Sequence, residues 1–238
     1  MNLFLANTDH DWFEYLRDMV PDEVNFWFPS GGTGFAALKP GQPLLFKAKA
    51  PFNAVIGGGH FVRYVKAPAS LAWQAFGTKN GAPDFTTFFK RISRYRSPNQ
   101  DVDPTIGCVV LNEPFFFPQD LWIPTPSDWQ RNIVRGKLYS TESGLGADLW
   151  DAVVATLSDP RAVTGPRVPT APAPVAIDDP TPRTGARYLT TARLGQGAFR
   201  LSVLDAYQLR CAVTGERVKP VLEAAHIKPY ASDGPNIV

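Results

Sequence analysis

Along the first 157 residues the apolar positions switch between two periods. "NLFLAN" (2–7) and "EVNFWFP" (23–29) are apolar runs of strand length bounded by polar or turn residues. Between them, "DHDWFEYLRDM" (9–19) puts Trp12, Leu16 and Met19 on one helical face, with Asp9 or Asp11 placed to cap it. "SGGTG" turns, and "GFAALKPGQPLLFKAKAP" reads as turn, "KPGQ" corner and strand. "NAVIGGGHFVRYVKAP" predicts two strands around a bend at Gly57–Gly59. "SLAWQAFG" and "DFTTFFKRISRYR" predict helices, "TIGCVVLNEPFFF" a strand, and "LWDAVVATL" a last short helix. Glycine-kinked strands interrupted by helices predict an α+β fold, a small β-barrel with flanking helices over residues 1–157.

The pattern then stops. Residues 158–185 hold seven prolines between 160 and 182 and almost no large apolar side chains. Such a stretch cannot bury a core and predicts an extended linker. Periodicity returns in 186–238. "GAFRLSVLDAYQL" repeats Phe199, Val203, Leu204 and Tyr207 at helical spacing. "KPVLEAAHI" alternates like a strand, with Leu222, Ala224, His226 and Lys228 on one face.

Composition narrows this picture in three places. No run of eighteen apolar residues occurs, so no transmembrane helix is expected, and the acidic N-terminus does not suit a signal peptide. The two cysteines, Cys108 and Cys211, lie far apart, which fits a reducing, cytoplasmic setting. Net charge is only +2, but it is unevenly placed: 181–238 carries eight Arg and Lys against four acids, and "KRISRYR" packs Lys90, Arg91, Arg94 and Arg96 around Tyr95. Each cluster is either a solvated basic face or a surface that tracks phosphates.

"LKPGQPLLFKAKAPFNAVIGGGHFVRY" resembles the core of PUA-like domains, the superfamily of EVE, ASCH, YTH and SRA modules. The resemblance implies a pocket for a nucleotide, often a modified one, between barrel and helices. Reading a flipped base takes aromatic faces and a few polar groups. Asn25, Trp27 and Ser30 interleave with Phe26 and Phe28, with Asn25 and Trp27 sharing a face, and Trp73 offers a second wall. All these aromatics also suit a core. Gly57–Gly59 reads as a bend, His60 as structural, and His10 is given no chemistry.

"RLGQGAFR", "RCAVTGE" and "LEAAHIKPY" follow one another at the spacing of HNH nucleases of restriction-endonuclease type, which this stretch resembles. The resemblance implies a ββα-metal fold in which His226 is the general base and a divalent metal, Mg2+ in the first instance, stabilises the leaving oxygen. Arg193, Gln196 and Arg200 read as phosphate contacts or as clamps on the hairpin. Ala225 stands where many such enzymes carry a metal ligand, and Thr214 where a zinc knuckle would need a second cysteine, so no structural zinc is expected. The second strand and helix of the pattern would follow Val238, which leads to the expectation that this chain starts the module, binds no metal and binds DNA without cutting it.

The combined expectation is a modification-dependent restriction endonuclease. Residues 1–157 would read double-stranded DNA carrying a modified base, 158–185 would link, and 186–238 would begin the nuclease. A homodimer is compatible with this and no membrane partner is expected. The alternatives are a non-catalytic protein that binds modified DNA or RNA, and an endonuclease that reads unmodified sequence.

Overall fold

The computed structural model describes residues 1–32, 34–97, 101–162, 196–208, 210–215 and 224. Seven strands form one sheet: β1 Asn2–Thr8, β2 Glu23–Phe28, β3 Pro43–Ala48, β4 Ala54–Pro68, β5 Thr105–Phe116, β6 Ile123–Pro124 and β7 Gly136–Ser140. The order across the sheet is β2-β5-β4-β3-β1-β7, with the two-residue β6 attached to β4. Only β1 and β3 run parallel, with Phe4 opposite Leu44; every other pairing is antiparallel. Among the described residues five α-helices accompany the sheet: α1 His10–Met19, α2 Ala69–Phe76, α3 Phe85–Ser93, α4 Gly144–Leu157 and α5 Gln196–Ala206. The α+β class holds, but the expected barrel does not close: β2 and β7 end the sheet and do not pair with each other.

The sheet is curved and buries apolar side chains on both faces. In β1, Phe4 and Ala6 enter the concave core with α1, while Leu3 and Leu5 enter the core under α4. This double burial is why β1 reads as an unbroken apolar run and not as a strict alternation. The concave core is aromatic: Phe26 stacks on Phe46 at 5.8 Å, and Trp12 meets both edge-on at 5.4 and 5.2 Å. Trp12 is wedged against Gly81, where a Cβ would fall 2.1 Å from the indole and where φ is +78°, so only glycine fits. "VIGGG" does not separate two strands. It lies within the single fifteen-residue β4, which shifts register twice against β5. A Cβ at Gly58 would come 2.6 Å from the Phe115 ring and 2.8 Å from the Leu44 carbonyl, so the glycines admit a tight crossing.

The convex side of β4, β5 and β2 is covered by α2, α3 and α5 around Val62, Ile106, Cys108 and Val110. Asp84 caps α3 by accepting from Thr87 N–H at 2.7 Å. α5 comes from the segment beyond the proline-rich stretch, yet it packs here, with Phe199, Leu201 and Leu204 buried. Its buried face matches the predicted one in part: Phe199 and Leu204 are inside as expected, Leu201 joins them, and Tyr207 is 48% exposed. A Cβ at Gly197 would lie 2.6–2.7 Å from Phe76 and the Ala75 carbonyl, so the helix meets α2 backbone to side chain at that point. The Gly197 N–H, an otherwise orphaned donor at the helix start, donates to the buried Glu23 carboxylate at 3.0 Å. Lys79 holds the same carboxylate at 3.2 Å. Of the linker, only 158–162 is described, and Ala162 packs into the core under α4. Among the described residues no helix is long and apolar enough to cross a membrane.

Leu201→Ala removes a 1%-exposed side chain from this dock. It is expected to destabilise the full chain by about 2–4 kcal/mol, measured as a lowered denaturation midpoint. An unchanged midpoint would mean α5 does not contribute to the folded core.

Candidate functional site

The open seam of the sheet holds a cavity of about 320 Å³. The end of β1 supplies Asn7, Thr8 and Asp9, and β2 with its following turn supplies Phe26 to Ser30. Trp12 of α1, Lys49 after β3, Tyr95 after α3, and Val134 and Arg135 ahead of β7 complete the lining. Its volume lies at the lower end of the range for small-molecule clefts, and its pairing of an aromatic surface with a few polar groups is typical of them.

Asp9 occupies the N-cap position of α1, but its side chain makes no cap hydrogen bond. The carboxylate turns to the cavity and pairs with Lys49. Tyr95 donates its hydroxyl to the same carboxylate, at 2.8 Å from Oδ1 and 2.7 Å from Oδ2. Lys49 Nζ in turn donates to Tyr95 Oη at 3.0 Å and sits 4.8 Å from the centre of its ring. Burial works against the Lys49 charge, but the hydrogen bonds and charges of Asp9 and Tyr95 outweigh it and hold the ammonium above its ordinary pKa. Burial raises the Tyr95 phenol, and the bond to Asp9 adds to this against the opposing effect of Lys49.

The opposite wall spans the seam with side chains where backbone pairing is missing. Arg135 Nη2 donates to Ser30 Oγ at 3.3 Å, and the guanidinium lies 5.2 Å over the Phe28 ring. Asn7 fixes the chain ahead of β7 by donating Nδ2 to the carbonyls of Ile133 and Val134 at 2.7 and 3.2 Å. The cavity lining thus carries one acidic and two basic side chains, each next to the end of a strand, beside aromatic rings.

The residues singled out from sequence divide sharply. Trp27 and Ser30 line the cavity. Asn25 shares a face with Trp27 as expected, but that face lies under the helices. Asn25 is fully buried and donates Nδ2 to Asn80 Oδ1 at 2.8 Å, which removes it from the reading surface. Trp27 Nε1 donates to the Asn80 carbonyl at 3.0 Å, and its ring meets Phe88 edge-on. Trp73 packs on Phe88 and Phe85 beneath α3, and the cavity lies elsewhere. The basic run is partly structural. Arg91 bonds the Gly81 carbonyl and pairs with Asp11 at 3.0 Å, and Arg96 holds the Pro29 carbonyl at 2.6 Å. Lys90 and Arg94 remain exposed, Arg94 at 3.7 Å from Asp11.

Arg200 is partly buried on α5, and the Gln196 side chain, Arg193 and His226 lie outside the described residues. Burial pushes the Cys108 thiol up to about 12, with Asn25 opposing, so Cys108 is an inert core residue. Among the described residues no group of three or more His, Cys, Asp or Glu could hold a metal ion, so no chemical step is derived through one. Asp9, Lys49 and Arg135 were missed as site residues. Asp9 was legible only as a cap, and Lys49 and Arg135 carry no local signal. Tyr95 was visible as the aromatic inside "KRISRYR".

No protein family's model matches the chain, and no curated protein does. Among solved structures, the ASCH from Zymomonas mobilis is similar at 9% identity and a TM-score of 0.42, over 64% of this chain and 94% of that one. Two mutant forms of the same protein align at 10% and 8% identity, with TM-scores of 0.43 and 0.42 and 63% of this chain covered in each case. No residue role passes from them to this chain.

Tyr95 provides a pH test of the cavity network. Its folded pKa is raised above the unfolded value of 10.0. Its contribution to stability is therefore complete below that value and is lost as pH rises through the folded pKa. Asp9→Asn removes the carboxylate that holds the phenol protonated. It is expected to bring one tyrosine's titration down toward the ordinary value, read by tyrosinate absorbance. An identical titration curve would show that the network does not form.

Proposed function

We propose that residues 1–157 read nucleic acid by taking one nucleobase into the seam cavity, and that the protein acts as a modification-dependent nuclease. The cavity carries the reading. It joins stacking surface to hydrogen-bonding groups in a volume suited to one base, and Lys49 and Arg135 tip its lining to net positive. Exposed Lys90 and Arg94, beside Tyr95 in sequence, extend that positive character toward a phosphate backbone. The sequence resemblance of 38–64 to PUA-like cores supports the same use.

The nuclease half rests on sequence. "RLGQGAFR", "RCAVTGE" and "LEAAHIKPY" support an HNH module in which His226 activates water against a phosphodiester. A divalent ion would supply charge stabilisation there. The dock of α5 favours a particular arrangement: the segment that carries the first of these motifs is seated on the reader and not merely tethered to it.

Fluorescence anisotropy with the full chain tests the reader. Oligonucleotides differing only in 5-methylcytosine or 5-hydroxymethylcytosine against cytosine are expected to separate by about tenfold in Kd, the worth of one good base contact. Equal binding sinks the modification claim. The nuclease half has its own test: His226→Ala is expected to abolish any cleavage that depends on a divalent metal, and cleavage that survives removes His226 from the reaction.

A further inference from the structure

We infer that Asp9, Lys49 and Tyr95 form a donor–acceptor plate that takes the Watson–Crick edge of a single unpaired nucleobase. This rests on the proposed use of the cavity as a base pocket and adds which edge is read and by which atoms.

The inference comes from counting donors and acceptors. A carboxylate offers about four lone-pair sites, and an ammonium three N–H donors. Asp9 receives the Lys49 ammonium on Oδ1 and one hydroxyl proton shared between its two oxygens. Accepting capacity is left at Oδ2, where Tyr95 is the one bonded donor among the described residues. Lys49 donates to Asp9 and to Tyr95 Oη, and its third N–H stays available. The network therefore presents an acceptor and a donor side by side on the cavity wall. That pair complements the Watson–Crick edge of a nucleobase, on which an N–H donor sits beside a lone-pair acceptor. It does not complement a phosphate or carboxylate, because Asp9 would repel either.

The plate is also fixed before a ligand arrives. Asp9 follows β1 and Lys49 follows β3, two strands paired with Thr8 opposite Ala48. Tyr95 closes α3 through its own N–H to the Ile92 carbonyl at 3.1 Å. Three packed elements converge on three side chains, so little ordering is left for binding to supply. In a duplex the same edge is occupied by the partner base, so this plate requires a flipped or single-stranded base. Substituents off that edge, such as the 5-methyl of a pyrimidine, face the aromatic walls instead.

The test is titration calorimetry of the full chain with single-stranded oligonucleotides carrying neutral edge-blocked bases. One is cytosine with two methyl groups on its exocyclic amine, and the other is thymine methylated on its ring N–H. Blocking the edge is expected to weaken binding at least about tenfold relative to the unblocked base. Asp9→Asn and Tyr95→Phe are expected to weaken binding of the unblocked base and to shrink that difference, with circular dichroism unchanged. If blocked and unblocked bases bind alike, the plate does not read the edge, while the base pocket stands. If no oligonucleotide binds, the base pocket fails and takes this inference with it.

Discussion

Two strand edges that never meet govern this molecule. The sheet has β2 at one end and β7 at the other, and the two do not pair, so each keeps an edge without a strand partner. Side chains link the two instead. Arg135 crosses to Ser30 and lies over Phe28, and Asn7 ties down the approach to β7. The result is a cavity lined by the ends of β1 and β2, by Trp12 of α1, and by residues that directly follow or precede β3, α3 and β7.

The same logic explains why the aromatic residues divide as they do. Trp12, Phe26 and Phe46 pack edge and face to form the concave core, and the cavity opens off that cluster. Trp27 lies on the other face of β2, partly buried against both cores, and its indole N–H is held by the Asn80 carbonyl. Asn80 is the hub of this side. Fully buried, it receives Asn25 and donates to the Ala72 and Gly77 carbonyls at 3.1 and 2.8 Å. Those bonds fix the end of α2, against which Gly197 of α5 is seated. The cavity wall and the dock of the C-terminal segment thus share one strand, β2, which begins at Glu23 and reaches the cavity at Phe26.

Much of the element plan was legible because it depends on local pattern. The helical spacing in 9–19 and the strand-length apolar runs each have a cause within a few residues. The errors have causes too. β7, "GKLYS", is short and half-exposed, and it becomes a strand because β1 offers it an edge. The glycine run in β4 signals a bend equally well whether a strand ends or continues, and only the crossing of Phe115 decides between them. Tyr207 is exposed because α5 ends at Ala206, one residue before it, whereas its spacing from Phe199 and Val203 reads as a helix that continues.

By itself the sequence determined the α+β class, most helices and strands, and the basic run at 90–96, since each is set by neighbours in the chain. Tertiary structure alone decided that the sheet stays open, that Asn25 belongs to an interior clamp, and that Asp9, Lys49, Tyr95 and Arg135 share one cavity. Those four residues are separated by forty or more positions, and each is an unremarkable polar residue in its own segment. Their chemistry exists only once the strand ends and the last turn of α3 bring them within hydrogen-bonding distance of one another or across the same gap.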